Sequence, residues 1–217
     1  MDVEEAIKKR HATRLFLADK PVKKAIVQEI ITLAQQAPSW VDSQPWRVYV
    51  ATGKTLAALK KQHLANVQAG KKSNPDWLTM HRQDWAAFPR ANMARQSADS
   101  SNMWQAADRN HDEVETALFD APAVCYLTIP KKTPLWSVYD LGAFGQTLML
   151  AAEGKGISSL AAYELVKYPD SVRKILGITP DEILGIGIAL GYEDTNNAVN
   201  AFRSHRVATN EILTFKG

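Results

Sequence analysis

From Val138 to Glu153 the chain is strongly apolar, carrying Leu141, Phe144, Leu148, Met149, Ala151 and Ala152, and it reads as a helix stopped by Gly154 and Gly156. Directly after it, Ile157 to Ala162 has the short apolar run of a strand. The same irregular mixture runs through the rest of the sequence. Val3 to His11 reads as a short helix ending in a basic cluster. Pro21 to Ala37 reads as an amphipathic helix, because Val22, Ala25, Ile26, Ile30, Leu33, Ala34 and Ala37 recur at spacings of three and four, and Pro38 stops it. Trp46 to Ala51 and Ala123 to Ile129 read as strands, and Lys54 to Val67 as a helix. Ser171 to Leu176 reads as a short helix closed by Gly177, and Ile183 to Tyr192 as a strand. This order has no steady βαβ rhythm, which predicts an α+β fold rather than a doubly wound sheet.

One region breaks the pattern. Gly70 to Glu113 is polar, carries Trp77, Trp85, Phe88 and Trp104 at irregular intervals, and has few aliphatic residues. It reads as an inserted helical excursion or lid, at about residues 67–115, within a single domain spanning 1–217. The tail from Arg203 ends in Glu211-Ile212-Leu213-Thr214-Phe215, which looks like a strand.

Several function classes are excluded at this stage. Cys125 is the only cysteine, so there is no internal disulfide framework and no Cys-based zinc cluster. Its apolar flanks mark it as a core thiol, and a lone thiol suits a reducing cytosol. The N-terminus has no basic patch leading into an apolar run, which predicts a cytoplasmic protein without a signal peptide. No window approaches the ~18 apolar residues of a membrane span, so no membrane partner is expected. A net charge of +3 suits an anionic cofactor and does not by itself indicate a nucleic-acid partner. His63, His81, His111 and His205 are scattered without ligand spacing, so no metal is expected. Gly154-x-Gly156 follows a helix and is not a dinucleotide fingerprint.

Two segments carry the chemistry. Lys8-Lys9-Arg10-His11-Ala12-Thr13-Arg14 is either a solvated helix end or a phosphate clamp. The planar fork of an arginine suits a phosphate, and alternate residues of an extended segment face the same way. Ala37-Pro38-Ser39-Trp40-Val41-Asp42-Ser43-Gln44-Pro45-Trp46 is a loop into a strand, with Trp40 set among small polar residues in a manner typical of binding loops.

Taken together, Arg10-His11-Ala12-Thr13-Arg14, Phe16, Pro21-Val22, Ala37-Pro38-Ser39 and Gln44-Pro45-Trp46 resemble the N-terminal signature of the FMN-binding nitroreductase family. Phe119-Asp120-Ala121-Pro122-Ala123-Val124, Trp136, Asp140-Leu141-Gly142, Gln146 to Ala152, Gly156-Ile157, Val172 to Gly177, Gly187 to Tyr192, and Arg206 with Glu211-Ile212 extend the likeness. It covers nearly the whole chain except roughly residues 67–115.

The resemblance implies a central, mainly antiparallel sheet flanked by helices, with the C-terminal strand exchanged in a homodimer. It implies that Arg10, His11 and Arg14 hold the FMN phosphate and ribityl chain, with Ala12 or Thr13 contributing through backbone, and that Arg206 and Arg203 add cations. Pro38, Ser39, Trp40 and Asp42 would face the flavin of the partner subunit. Ala161, Ala162 and Tyr163 would run their backbone past the flavin ring.

The implied activity is a ping-pong reduction of nitroaromatic or quinone-like acceptors by NAD(P)H. The flavin carries the chemistry, and no catalytic side chain is named. Alternatives within the fold are a flavin reductase, a dehalogenase or a flavin-consuming enzyme, and outside catalysis a non-catalytic FMN-binding protein. Three positions depart from the family pattern. Asp42 stands where asparagine is common, Tyr163-Glu164 replaces a glutamate-glycine pair, and Trp40 is bulky enough either to stack on substrate or to pack in an interface. Arg82, Arg90 and Arg95 of the excursion would suit an acidic aromatic substrate.

Overall fold

The computed structural model describes residues 1–105, 107 and 109–217; Ala106 and Asp108, inside the expected excursion, lie outside the described residues. The helix α1 (Val3–Lys9) starts where the Asp2 side chain accepts the Glu5 N–H at 2.8 Å, and its charges run acidic to basic along the helix dipole. The helix α2 spans Lys24–Ala34, beginning later than expected because Pro21 and Val22 remain outside it, with Val22 buried as a lead-in. It buries Val27, Ile30 and Ala34, the face marked by the sequence periodicity.

The strand β1 (Arg47–Thr52) leads directly into α3 (Gly53–Gln68). The excursion contains α4 (Ala87–Gln105) and α5 (His111–Thr116), and α5 opens with a capping box between Asn110 and Glu113. There follow β2 (Ala123–Pro130), α6 (Trp136–Gly154), β3 (Ser158–Ala162), α7 (Pro169–Leu176) and β4 (Glu182–Gly191). Gly177 closes α7 at φ 69°, in the left-handed region that favours glycine.

The strands form one antiparallel sheet in the order β1-β2-β4-β3. The central β2 is buried on both faces, and its period of two divides the core. Val124 and Tyr126 join the cluster containing Leu56 and Leu59 of α3 and Val172 of α7. Ala123, Cys125, Leu127 and Ile129 join the cluster with α2 and with Leu141, Phe144 and Leu148 of α6. The sheet therefore lies between two helical layers. Cys125 is fully buried, and burial pushes its thiol up to about 12, as a core thiol requires. Among the described residues, no helix is long and apolar enough to cross a membrane.

Within the single chain the tail forms a turn, and the strand expected there was to be exchanged with a partner subunit. Thr209–Glu211 is a 3-10 turn, the Leu213 N–H returns to Thr209 O at 2.9 Å, and Ile212, Leu213 and Phe215 are exposed. A strand-like composition needs a sheet edge to pair with, and among the described residues the tail pairs with no strand. Part of the outer edge of β3 is already taken, because Ala12 bridges Ser159 and the Thr13 N–H donates to Ser159 O at 3.2 Å.

Candidate functional site

Where α1 ends, Arg10 to Arg14 runs as an extended segment along β3, and the C-terminal segment lies beside it. Asn200 joins the two. Its Oδ1 accepts the N–H groups of Arg14 at 2.8 Å and Leu15 at 3.1 Å, while its Nδ2 donates to Leu15 O and Asp194 O. This side chain is fully buried, and a lone asparagine gave no signal in the sequence. The Arg14 guanidinium lies 5.2 Å from the centre of the Phe202 ring, a cation–π distance, and donates to Ala12 O.

The staple also brings Arg206 toward Arg10. Burial holds the Arg10 pKa below its usual value, and the like charge of Arg206 lowers it further, with Glu153 opposing. Arg203 donates to Asn200 O at 2.7 Å, and Arg206 donates to Ser204 and His205. Among the described residues, none of these four arginines has a carboxylate within ion-pair distance. Cations with no carboxylate paired to them, beside the partnerless buried hydroxyls of Thr13 and Ser159, fit a phosphorylated ligand. His11 faces the protein, with Nε2 3.2 Å from Glu193 Oε1.

The loop from Pro38 to Trp46 is held in a costly backbone shape. Val41, Asp42 and Gln44 have φ of 48°, 57° and 42°, and a β-branched residue at such an angle marks strain of the kind found at functional sites. The buried Asp140 of α6 accepts the Trp40 N–H with both oxygens at 3.2 Å. Ser39 Oγ accepts the Gln44 N–H at 3.0 Å, and Asp42 accepts from Gln44 Nε2 at 2.9 Å. Trp40 is 52% exposed and Val41 75% exposed. Leu135, Trp136 and Tyr139 at the start of α6 are exposed as well.

This loop and the arginine segment sit toward opposite ends of α6. The loop is tied to Asp140, whereas Lys9 pairs with Glu153 at 3.3 Å. At 1.5 Å per residue these anchors lie roughly 20 Å apart. Within one chain the structure does not bring Pro38, Ser39, Trp40 and Asp42 to the arginines.

At the end of β3, Ala161 and Tyr163 are exposed, and Ala162 is partly so. Their inner edge pairs with Ile188 and Gly187 of β4. Gly187 permits this closeness, since a Cβ there would lie 2.4 Å from Leu165 Cβ. The next residue, Glu164, is buried and anchors the turn. His63 Nε2 approaches Glu164 Oε1 to 2.9 Å, off the line of a good hydrogen bond, and Lys167 Nζ donates to it at 2.9 Å. Burial pushes the Glu164 carboxyl up, but His63 and Lys167 together hold it below the usual range.

Arg14 also lines an open cavity of about 1600 Å³, together with residues between Arg82 and Ala117. Lys60 and Lys61 of α3, Arg82, and Trp104 of α4 share its wall. The excursion is pinned at both ends. Asp76 forms a two-pronged ion pair with Arg173 and accepts the Leu184 N–H at 2.6 Å, and Arg109 pairs with Asp120. Of the excursion arginines, Arg82 lines this cavity, Arg95 lines a separate cleft with Arg206, and Arg90 donates to Gln83 O. His111, Asp112 and Glu115 come together at the surface, an arrangement common without an ion.

Residues 7–192 match the family model described as the Nitroreductase family. A 4-nitrobenzoate reductase of Pseudomonas putida is 27% identical over 226 residues, covering 100% of this chain and 96% of that protein. Nitroreductase NfnB of Mycolicibacterium smegmatis is 30% identical, covering 98% of this chain and 92% of its own length. The crystal structure of the FMN-dependent nitroreductase NfnB from Mycobacterium smegmatis in complex with NADPH matches with a TM-score of 0.90. Its identity is 29%, over 99% of this chain and 97% of that one.

Proposed function

Since the chain belongs to the nitroreductase family, we propose that it is an FMN-dependent oxidoreductase that uses NAD(P)H to reduce small nitroaromatic or quinone-like acceptors in the cytoplasm, as a homodimer. The observation that carries the reading is the convergence of Arg10 and Arg206, from opposite ends of the chain, with no carboxylate among the described residues within ion-pair distance of either.

Arg10, Arg14, Arg203 and Arg206 hold the anionic end of the cofactor. Ala161 to Tyr163 present backbone to its ring, with Glu164 fixing the turn behind them. When bound, FMN supplies a two-electron relay, taking hydride from the nicotinamide and passing it to the acceptor. In the first such step a nitro compound, NAD(P)H and one proton become a nitroso compound, NAD(P)⁺ and water. The protein's contribution is binding, orientation and a cationic surround. The separation of the Trp40 loop from the arginines along α6 supports a site completed by the partner's loop, and the exposed Leu135, Trp136, Tyr139, Leu213 and Phe215 offer apolar surface for that contact.

Anaerobic turnover assays with a nitroarene, a quinone and a haloaromatic test the reading. NAD(P)H consumption with the first two and none with the haloaromatic is the expected result. Turnover confined to the haloaromatic, or none with any acceptor, would overturn it.

A further inference from the structure

The cavity that begins at Arg14 continues beneath the excursion, and its volume of about 1600 Å³ exceeds the roughly 300–1,000 Å³ of an ordinary ligand pocket. Arg14 is the residue it shares with the cationic cluster assigned to the cofactor. Its cations come from separate segments: Lys60 and Lys61 from α3, and Arg82 from the turn ahead of α4. Lys60 is half-buried, and burial lowers its pKa, with Asp120 opposing. Withdrawing an ammonium from water is unfavourable unless an anion meets it. Asp120, meanwhile, is already engaged by Arg109.

The Arg82 guanidinium is oriented by one hydrogen bond to Ser97 Oγ at 2.5 Å, which leaves further N–H groups for a planar anion. Trp104 provides an aromatic wall and is itself held edge-on by His111 at 5.0 Å. The carboxylates that share the lining are already engaged, Asp120 by Arg109, Asp112 by His111 and Glu113 in the cap of α5. An aromatic wall in one cavity with two such cations is the complement of an aromatic acid.

We propose that this chamber selects aromatic acceptors bearing a carboxylate, with Lys60 and Arg82 meeting the carboxylate and Trp104 packing on the ring. The inference rests on the flavin oxidoreductase reading above and assigns its acceptor specificity to α3 and the excursion. Arg90 and Arg95, which the sequence grouped with Arg82, take no part.

The test compares kcat/KM for 4-nitrobenzoate with that for its neutral methyl ester, in the FMN-loaded wild type and in Lys60→Met, Lys60→Arg and Arg82→Met. The wild type should favour the acid by about tenfold or more, and added salt should erode that preference. The acid-to-ester ratio should fall toward one in both methionine variants and be retained in Lys60→Arg. Retained FMN absorbance reports that each variant is folded, and the salt dependence of the wild type is independent of any variant. Equal rates for acid and ester in the wild type would overturn the inference while leaving the reductase reading intact. So would methionine variants that raise the KM for NADPH without changing the ratio, because the cations would then serve the dinucleotide. Failure of NAD(P)H to reduce the flavin at all would overturn the reading beneath it.

Discussion

Asp140, buried in the apolar helix α6, receives the backbone N–H of Trp40 on both carboxylate oxygens at 3.2 Å. A single side chain thus fixes the entrance to a loop whose next residues, Val41 and Asp42, both have positive φ. Removing it should let the loop relax. Asp140→Ala is expected to cost about 1–3 kcal/mol, the penalty for stranding a donor and its cavity. In a chain of this size that amounts to a fall in Tm of several degrees. Calorimetry of the FMN-loaded protein measures it, and Asp140→Asn, which keeps one acceptor oxygen, should lose less.

The arginine pair makes a prediction in which affinity and stability diverge. Arg10 and Arg206 repel in the absence of an anion. Arg10→Gln should therefore leave the stability of the FMN-free protein unchanged or slightly higher, while weakening FMN binding roughly tenfold to a hundredfold, as expected for a lost charge-assisted contact. Fluorescence titration with FMN and thermal melts without it separate the two effects. A variant that loses stability and keeps its FMN affinity would remove Arg10 from the clamp.

The Glu164 anchor predicts a pH window. Its carboxyl pKa is held below the ordinary value of about 4.3, so its stabilisation is complete above that pH and is lost as pH falls through the depressed value. Lys167 has the opposite sign. Burial lowers its pKa, but Glu164 outweighs burial and raises it, so its contribution is present below about 10.4 and fades above. Glu164→Gln should be about 1–3 kcal/mol less stable than wild type at pH 7. The difference should shrink as pH drops below about 4. Urea unfolding at both pH values measures it.

The sequence carried the fold further than the site. The apolar run before Gly154 placed α6, and Gly177 marked the end of α7, because these signals are local and repeat within a turn. The spacing-of-three-and-four face of α2 buried as expected, although the helix begins beyond Val22, whose apolar side chain belongs to the core without being helical. The tail is a separate case, since Glu211 to Phe215 has strand chemistry, and the strand expected there was to pair with a partner subunit rather than with its own chain. Asn200, Asp76 and Lys60 were illegible for another reason. Each is an isolated polar residue whose role appears only when a distant segment is folded against it, and no spacing along the chain records that.

The central claim is tested most directly by the visible absorption spectrum of the purified protein, before and after anaerobic addition of NADPH or NADH. Flavin bands that bleach on addition and return with a nitroarene are the expected result, reporting cofactor, reductant and reaction together. A colourless protein that FMN cannot reconstitute, or flavin bands that no nicotinamide bleaches, would contradict the account.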